Sequence, residues 1–210
     1  MTLAQKPLPV IRSAEEADDR NLTMVLVAAF FFGDFAPYLI PDAAERASHY
    51  FPYFEILANH ALRTGQVDLI IEDEAAMPAA AAIWYRVGPG SPVVDPPGYD
   101  ARLLAAVGPY LARFVSLDRA MHEHHPTGCD HDYLGHLAVQ PALQGRGLGS
   151  RLLAYHHRQL DAAGLPAYLE ATGERNRHLY QRHGYAPLDP YGVGEAGPLL
   201  HPMWRPAQRA

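Results

Sequence analysis

A mixed α/β domain is the fold class this sequence predicts, and three observations predict it. Short runs that are apolar or alternate with period two are interleaved with longer runs of helical spacing. Asp132–Val139 is apolar on both faces, as a central strand is, and leads through a glycine-rich turn into an amphipathic helix and another strand, a strand–helix–strand unit. The 210 residues, 49% hydrophobic and 19% charged, can bury a substantial core, and no internal repeat or low-complexity tract divides them, so residues 1–210 are expected to form one domain.

In chain order, an extended lead at Pro9–Arg12 precedes Ser13-Ala14-Glu15-Glu16, a capping-box pattern that predicts a helix start at Ser13. That helix carries Leu22, Val25, Leu26 and Ala29 on one face and runs to the aromatic cluster Phe30-Phe31-Phe32-Gly33-Asp34-Phe35. Asp42 opens a second helix, about Pro41 to Arg63, with Tyr50, Phe54, Leu57 and Leu62 at helical spacing and Thr64-Gly65 at its end. Val67–Glu72 and Ala79–Val87 read as strands of a hairpin turning through 73–78. The Pro/Gly-rich stretch Gly88–Gly98 is a loop, and Tyr99–Leu117 is a third helix. After the strand ending at Val139, Leu148–Leu160 is a helix closed by Gly164, Ala167–Ala171 a strand, Glu174–His183 a short helix, and Tyr185 onward and Leu199–Trp204 the last strands.

Composition excludes several function classes. No apolar run reaches bilayer length, the longest being Met24–Phe32, so no membrane association is expected. The N-terminal residues, with Pro7 and Pro9, lack the apolar segment of a secretory signal, and the single cysteine, Cys129, cannot form an internal disulfide; a cytoplasmic location is expected. Seventeen basic against twenty-three acidic residues, with the arginines scattered, argue against a nucleic-acid partner. His122, His124, His125, Cys129 and His131 crowd one segment, but their spacing lacks the paired ligand turns of a structural zinc site, and no metal is expected.

The segment that carries chemistry is Gln144-Gly145-Arg146-Gly147-Leu148-Gly149, between the buried strand and the amphipathic helix. Alternate glycines let a ligand approach the backbone, and free amides at a helix N-terminus suit an anion such as a pyrophosphate. The spacing fits neither a Walker loop, which needs a following Lys-Ser/Thr, nor a dinucleotide fingerprint.

This segment resembles the cofactor motif of the GNAT superfamily of N-acetyltransferases, a Gln or Arg followed by x-x-Gly-x-Gly/Ala, and Leu137-Ala138-Val139-Gln140-Pro141 has the form of that family's preceding strand. Glu170, Asn176, Tyr180 and Gly184-Tyr185 are similar to its second cofactor segment. The resemblance covers about Tyr133 to Tyr185; Ala80–Trp84, His125-Pro126, Leu134–Gly149 and Leu169-Glu170 more loosely resemble the puromycin N-acetyltransferase subgroup. It implies a mostly antiparallel twisted sheet flanked by helices, with a splayed parallel strand pair forming the acyl-CoA cleft. It implies acetyl-CoA as co-substrate, held by Leu137, Ala138 and Val139 along pantetheine, by Gln144, Gly145, Arg146, Gly147, Leu148 and Gly149 at the pyrophosphate, and by Asn176 and Tyr180. The reaction implied is direct attack of a primary amine on the thioester through a tetrahedral intermediate, with the Val139 amide facing the oxyanion. Tyr180 is the expected acid for the leaving thiolate, although it is one of twelve tyrosines and also has a packing reading.

Glu170 is the expected base, with capping of the next helix as its structural alternative. Phe31, Asp34 and His136 are the expected acceptor-binding residues: Phe30, Phe31 and Phe32 cannot all face one side of a helix, Asp34 can attract a cationic amine or merely end a turn, and His136 lies on the strand facing the cleft or in the core. Many rings and few carboxylates in this segment predict a flat, partly apolar small-molecule amine, as in inactivation of an antibiotic or toxic amine. Acetylation of a protein N-terminus or lysine, and a non-catalytic acyl-CoA sensor, are the alternatives. The chain is expected to act as a monomer or homodimer.

Overall fold

The structure, a computed structural model, describes residues 10–72, 77–89 and 95–208. The expected hairpin turn at 73–76, the middle of the proline-rich loop and the N-terminal lead up to Pro9 lie outside the described residues. Strand β1 (Val10–Ser13) pairs antiparallel with β2 (Gln66–Ile71), β2 with β3 (Ala80–Val87), and β3 with β4 (His131–Val139). Beyond β4 the sheet continues through β5 (Ala167–Ala171), β8 (Leu199–Arg205) and the short β6 (Ala186–Pro187), with β7 (Tyr191–Gly192) paired to β8. Only β4 and β5 run parallel, and the rest of the sheet is antiparallel.

Strand alternation divides the core into two layers. Leu69, Ala81, Ile83 and Ala138 face α1 (Asp19–Phe30), α3 (Ala43–Thr64), α4 (Tyr99–Val107) and α5 (Leu111–His124). Ile70, Ala80, Ala82 and Trp84 face α6 (Leu148–Ala163) and α7 (Glu174–Arg182). The short α2 (Ala36–Leu39) bridges α1 and α3. Asp42 caps α3 as expected, its carboxylate accepting from the Ala44 amide at 2.9 Å, and Gly164 closes α6 in the left-handed region at φ 67°.

Two helical expectations need correction. Ser13 stays in β1, and α1 starts six residues later, after a 3₁₀ turn at Glu16–Asp18. Asp18 takes the role expected of a capping residue: its carboxylate accepts from the Glu15 amide and from both terminal nitrogens of Arg12, at 2.7 Å each. The stretch expected as one helix over Tyr99–Leu117 is two, because Gly108, at φ 49°, and Pro109 break it; the second then runs seven residues past the expected end, to His124.

Under the sheet on the α6 side, His156 stacks flat on Trp84 with ring centroids 4.0 Å apart, and its two nitrogens meet Asp132 at 2.8 Å and Asp68 at 3.3 Å. Burial opposes charge on this imidazole, yet the hydrogen bonds it donates to the Asp132 and Asp68 carboxylates outweigh it and raise its pKa. Arg86 pairs with the other Asp132 oxygen from outside.

Candidate active site

The parallel pair β4–β5 is hydrogen-bonded only at its start, Asp132 with Ala167 and Tyr133 with Tyr168. Past that point the strands diverge, and Leu134–Val139 keeps only its β3 neighbour. Backbone groups alternate edges along a strand. The Gln140 amide goes to the Ala79 carbonyl on the β3 side, so the amide of Val139 faces the opening toward β5. In the same opening, the Gln144 side-chain amide donates to the Val139 carbonyl at 3.3 Å. A β-bulge between Ile83 and Trp84 leaves Gly135 as the extra residue on β4, where a side chain would press on the Tyr85 ring, 3.1 Å from a Cβ.

The loop after β4 turns on two left-handed glycines and leaves a row of amides without partners among the described residues. Gly145 and Gly147 both adopt φ 79°, a left-handed conformation that explains the glycines without any steric crowding, since a Cβ at either site meets nothing within 4 Å. Among the described residues, no acceptor meets the amides of Gly145, Arg146, Gly147, Leu148 or Gly149, the last three of which form the N-terminus of α6. Arg146 is drawn aside to Glu72 at 2.9 Å, and Arg175 reaches Gln144 at 3.4 Å. Leu137 and Val139 line the α6 side, where a Cβ on Gly149 would touch them at 3.5 and 3.8 Å, and Ala138 is buried on the opposite face. These residues fit a diphosphate and the arm behind it: unpaired backbone donors and an unpaired strand edge leading inward.

Glu170 and Tyr180 approach the opening from opposite faces of the sheet. On β5, Leu169 and Ala171 pack toward α6 and α7, so Tyr168 and Glu170 face the other layer. Tyr180, on α7, is buried with Tyr185 in the α6 layer, ring centroids 5.8 Å apart. Its phenol is pushed above its ordinary pKa by burial and stays protonated through the neutral range. Asn176, one turn before it, donates to Thr172 at 3.2 Å.

Glu170 opens into a cavity of about 410 Å³ between the sheet and helices α1, α3, α4 and α5. Burial lifts its carboxyl from 4.5 to about 7 against the counteracting hydroxyls of Tyr168, Tyr133 and Tyr191. Tyr191 donates to one oxygen at 3.2 Å, while the other oxygen is buried with no partner among the described residues. His136 also lines the cavity, edge-on to Phe30 and Phe54, with its pKa pushed down to about 4 by burial and Nδ1 unpartnered. The imidazole is therefore neutral. Asp34 reaches the cavity from beyond α1, takes a long 3.4 Å contact from Thr172, and lies so close to Gly173 that a Cβ there would sit 2.2 Å from its carboxylate.

Two expectations about this site change. Phe31 does not line the cavity: α1 turns it onto Phe32 and toward Tyr50, and its neighbour Phe30 takes the place expected for it. Phe32 is the ring that points away, 79% exposed. The N-terminal segment brings only Asp34 to the lining, but the cavity is more acidic than that segment, since Asp95, Asp118 and Glu170 come from elsewhere in the chain, and no lysine or arginine lines it among the described residues. Asp118, Tyr99, Tyr53, Tyr133 and Tyr191 were invisible as site residues because each sits in an unremarkable stretch of helix or strand and acquires its neighbours only through packing. In the histidine-rich segment, His122 and His125 face the cavity while His124 stacks on Tyr191.

The comparisons agree with this geometry. Residues 110–187 match the family model described as an acetyltransferase (GNAT) domain. Among solved structures, the chain is similar to one described as histone acetyltransferase HPA2 and related acetyltransferase from Corynebacterium glutamicum, at 26% identity and TM-score 0.72, covering 96% of this chain and 98% of that one. An arylalkylamine N-acetyltransferase from Aedes aegypti shares the fold at 11% identity and TM-score 0.68, over 96% and 100% of the two chains. So does a polyamine N-acetyltransferase from Drosophila melanogaster, at 16% identity and TM-score 0.57, over 95% and 100%.

Proposed function

We propose that this chain, which carries a GNAT acetyltransferase domain over residues 110–187, transfers the acetyl group of acetyl-CoA to the primary amine of a small molecule. The observation that carries the reading is the opening between β4 and β5: it joins the unpaired amides of the Gly145–Gly149 loop to the Glu170 carboxyl at the wall of one cavity. A cavity of this volume, lined by helices and the sheet, is of a size to take a small acceptor. The named relatives that act on arylalkylamines and polyamines support the same class. The loose likeness to puromycin N-acetyltransferases supports a role in inactivating an antibiotic or toxic amine in the cytoplasm.

Acetyl-CoA supplies an activated acyl carbon as a thioester; the remaining requirements fall on the chain. The loop amides and the α6 dipole hold the diphosphate, and Asn176 orients the arm. Glu170 takes a proton from the incoming ammonium, directly or through one water, and releases it to solvent. The freed amine forms the N–C bond while the Val139 amide faces the carbonyl oxygen as it gains charge. As the C–S bond breaks, Tyr180 protonates the sulfur, and the second proton shed by the nitrogen restores the phenol. Charge and protons then balance: one acetamide, one thiol and one released proton.

A panel of diamines, arylalkylamines, aminonucleosides and a peptide with a free N-terminus, assayed by release of CoA thiol, tests the reading. Turnover confined to the small amines is expected. Tight CoA binding with no turnover of any amine would leave the acyl-CoA sensor as the function.

A further inference from the structure

The acceptor cavity has a second anionic wall that the acetyl-transfer chemistry does not use. Asp118, on α5, accepts a hydrogen bond from the Tyr99 hydroxyl of α4 at 3.0 Å, and Tyr53 of α3 faces the same pair. Glu170 enters from β5, on the other side of the cavity. The two carboxyls are held by different elements: Asp118 by the Tyr99 hydroxyl of α4 and Glu170 by the Tyr191 hydroxyl of β7 at 3.2 Å, and both line the cavity. The wall between them is apolar and aromatic, with Phe54, Leu57, Tyr85, Leu117 and Met121. No lysine or arginine among the lining residues neutralises the acids, and His125 and His136 are both pushed down to about 4 by burial, so they carry no charge at neutral pH.

A carboxylate set into such a wall is costly unless a cation meets it. Burial is the largest influence on Asp118 and lifts it to about 6, with Tyr99 opposing; at neutral pH it remains mostly ionised, and the histidines His60 and His122 line the same cavity. Tyr99 holds one oxygen in place, and the aromatic faces beside it suit an ammonium or guanidinium group.

Building on the acetyltransferase reading, we propose that Asp118, positioned by Tyr99, is the specificity-determining anchor for a second cationic group, so that the preferred acceptor is a bis-cationic amine with an apolar middle. One amine faces Glu170 and the thioester while the other end is held at Asp118. This replaces the flat, uncharged-bodied acceptor expected from the sequence.

The test compares α,ω-diaminoalkanes of increasing length with n-alkylamines of the same length, by thiol release and by calorimetry in the presence of CoA. At the best-fitting length the diamine should exceed its monoamine roughly ten- to a hundredfold in kcat/KM, the strength of one hydrogen bond to a charged group. Asp118→Asn, which keeps an acceptor for Tyr99, should bring that ratio near one, chiefly through KM, and Tyr99→Phe should lower it part of the way. Glu123→Gln, an exposed carboxylate on the same helix, should leave it as in the wild type. A ratio near one at every length, or a ratio that survives both Asp118→Asn and Tyr99→Phe, overturns the anchor. If no amine is turned over, the acetyltransferase reading fails, and calorimetry still decides the anchor: diamine binding lost in Asp118→Asn upholds it, and absence of diamine binding overturns it.

Discussion

Replacing Glu170 by glutamine should slow the reaction and stabilise the fold, and both effects follow from one environment. Burial among Tyr133, Tyr168 and Tyr191 raises the carboxyl from 4.5 to about 7, which corresponds to about 3 kcal/mol of disfavoured ionisation. A base with that pKa is about half ionised at pH 7 and about one-tenth ionised at pH 6, so kcat should fall close to tenfold per pH step on the acid side. Glutamine cannot accept the proton, and kcat should drop roughly 10²- to 10⁴-fold, with the acid limb near pH 7 gone. Comparing both enzymes on the same amine cancels the amine's own ionisation. The stability effect has a fixed sign. A carboxyl whose folded pKa lies above its unfolded value stabilises fully below the unfolded pKa, and that contribution is lost as pH rises through the folded one. Glu170→Gln removes this loss, so the variant should gain up to about 3 kcal/mol at pH 8 and nothing below pH 4.5, read as several degrees in Tm. An acid limb that persists unchanged in the variant would refute the base assignment. A variant no more stable at pH 8 than at pH 4.5, relative to wild type, would refute the burial argument.

Tyr180→Phe should keep CoA affinity and Tm while lowering kcat about a hundredfold, because a thiol is already a fair leaving group; rapid-quench kinetics showing wild-type chemistry would return this ring to a packing role. Gly147→Val should weaken CoA binding strongly in calorimetry, and by strain rather than by clash: the site is open but sits at φ 79°, so Gly147→Asn, which tolerates that region, should be much milder. His156→Leu strands Asp68 and Asp132 beneath the sheet and should cost about 3 to 5 kcal/mol in denaturant unfolding. Since the His156 pKa is raised, its contribution is complete below about pH 6.5 and fades as pH rises through the folded value; a wild-type Tm that holds steady up this range, relative to His156→Leu, would contradict the pairing.

Local chemistry made much of the fold legible. Asp42 and Gly164 end helices by satisfying backbone groups within a few residues of themselves, so their meaning survives without tertiary context. The same holds for the glycines at 145 and 147, whose positive φ is a property of the turn alone. Ser13 misled because its capping pattern competes with strand pairing: Ser13 pairs with Asp68 across β1 and β2, and the helix starts after Asp18 instead. Gly108-Pro109 was a local signal passed over in favour of the apolar spacing on either side.

By itself the sequence determined most of the strands and helices, the glycine turn before α6, and the two residues, Asn176 and Tyr180, that share a helix face. These depend on neighbours three or four positions away, and short-range hydrogen bonding and periodicity suffice to read them. The acceptor side was decided only by tertiary structure. Asp118, Tyr99 and Tyr53 come from three helices, Glu170, Tyr133 and Tyr191 from three strands, and they converge because both apolar faces of the one sheet must be covered, which draws α3, α4 and α5 over one side of it. The splay of β4 from β5 is implied by the family resemblance alone; in the structure it follows the Tyr133–Tyr168 rung, next to the bulge at Gly135, and the partner strand that sets it lies about 35 residues away in the chain.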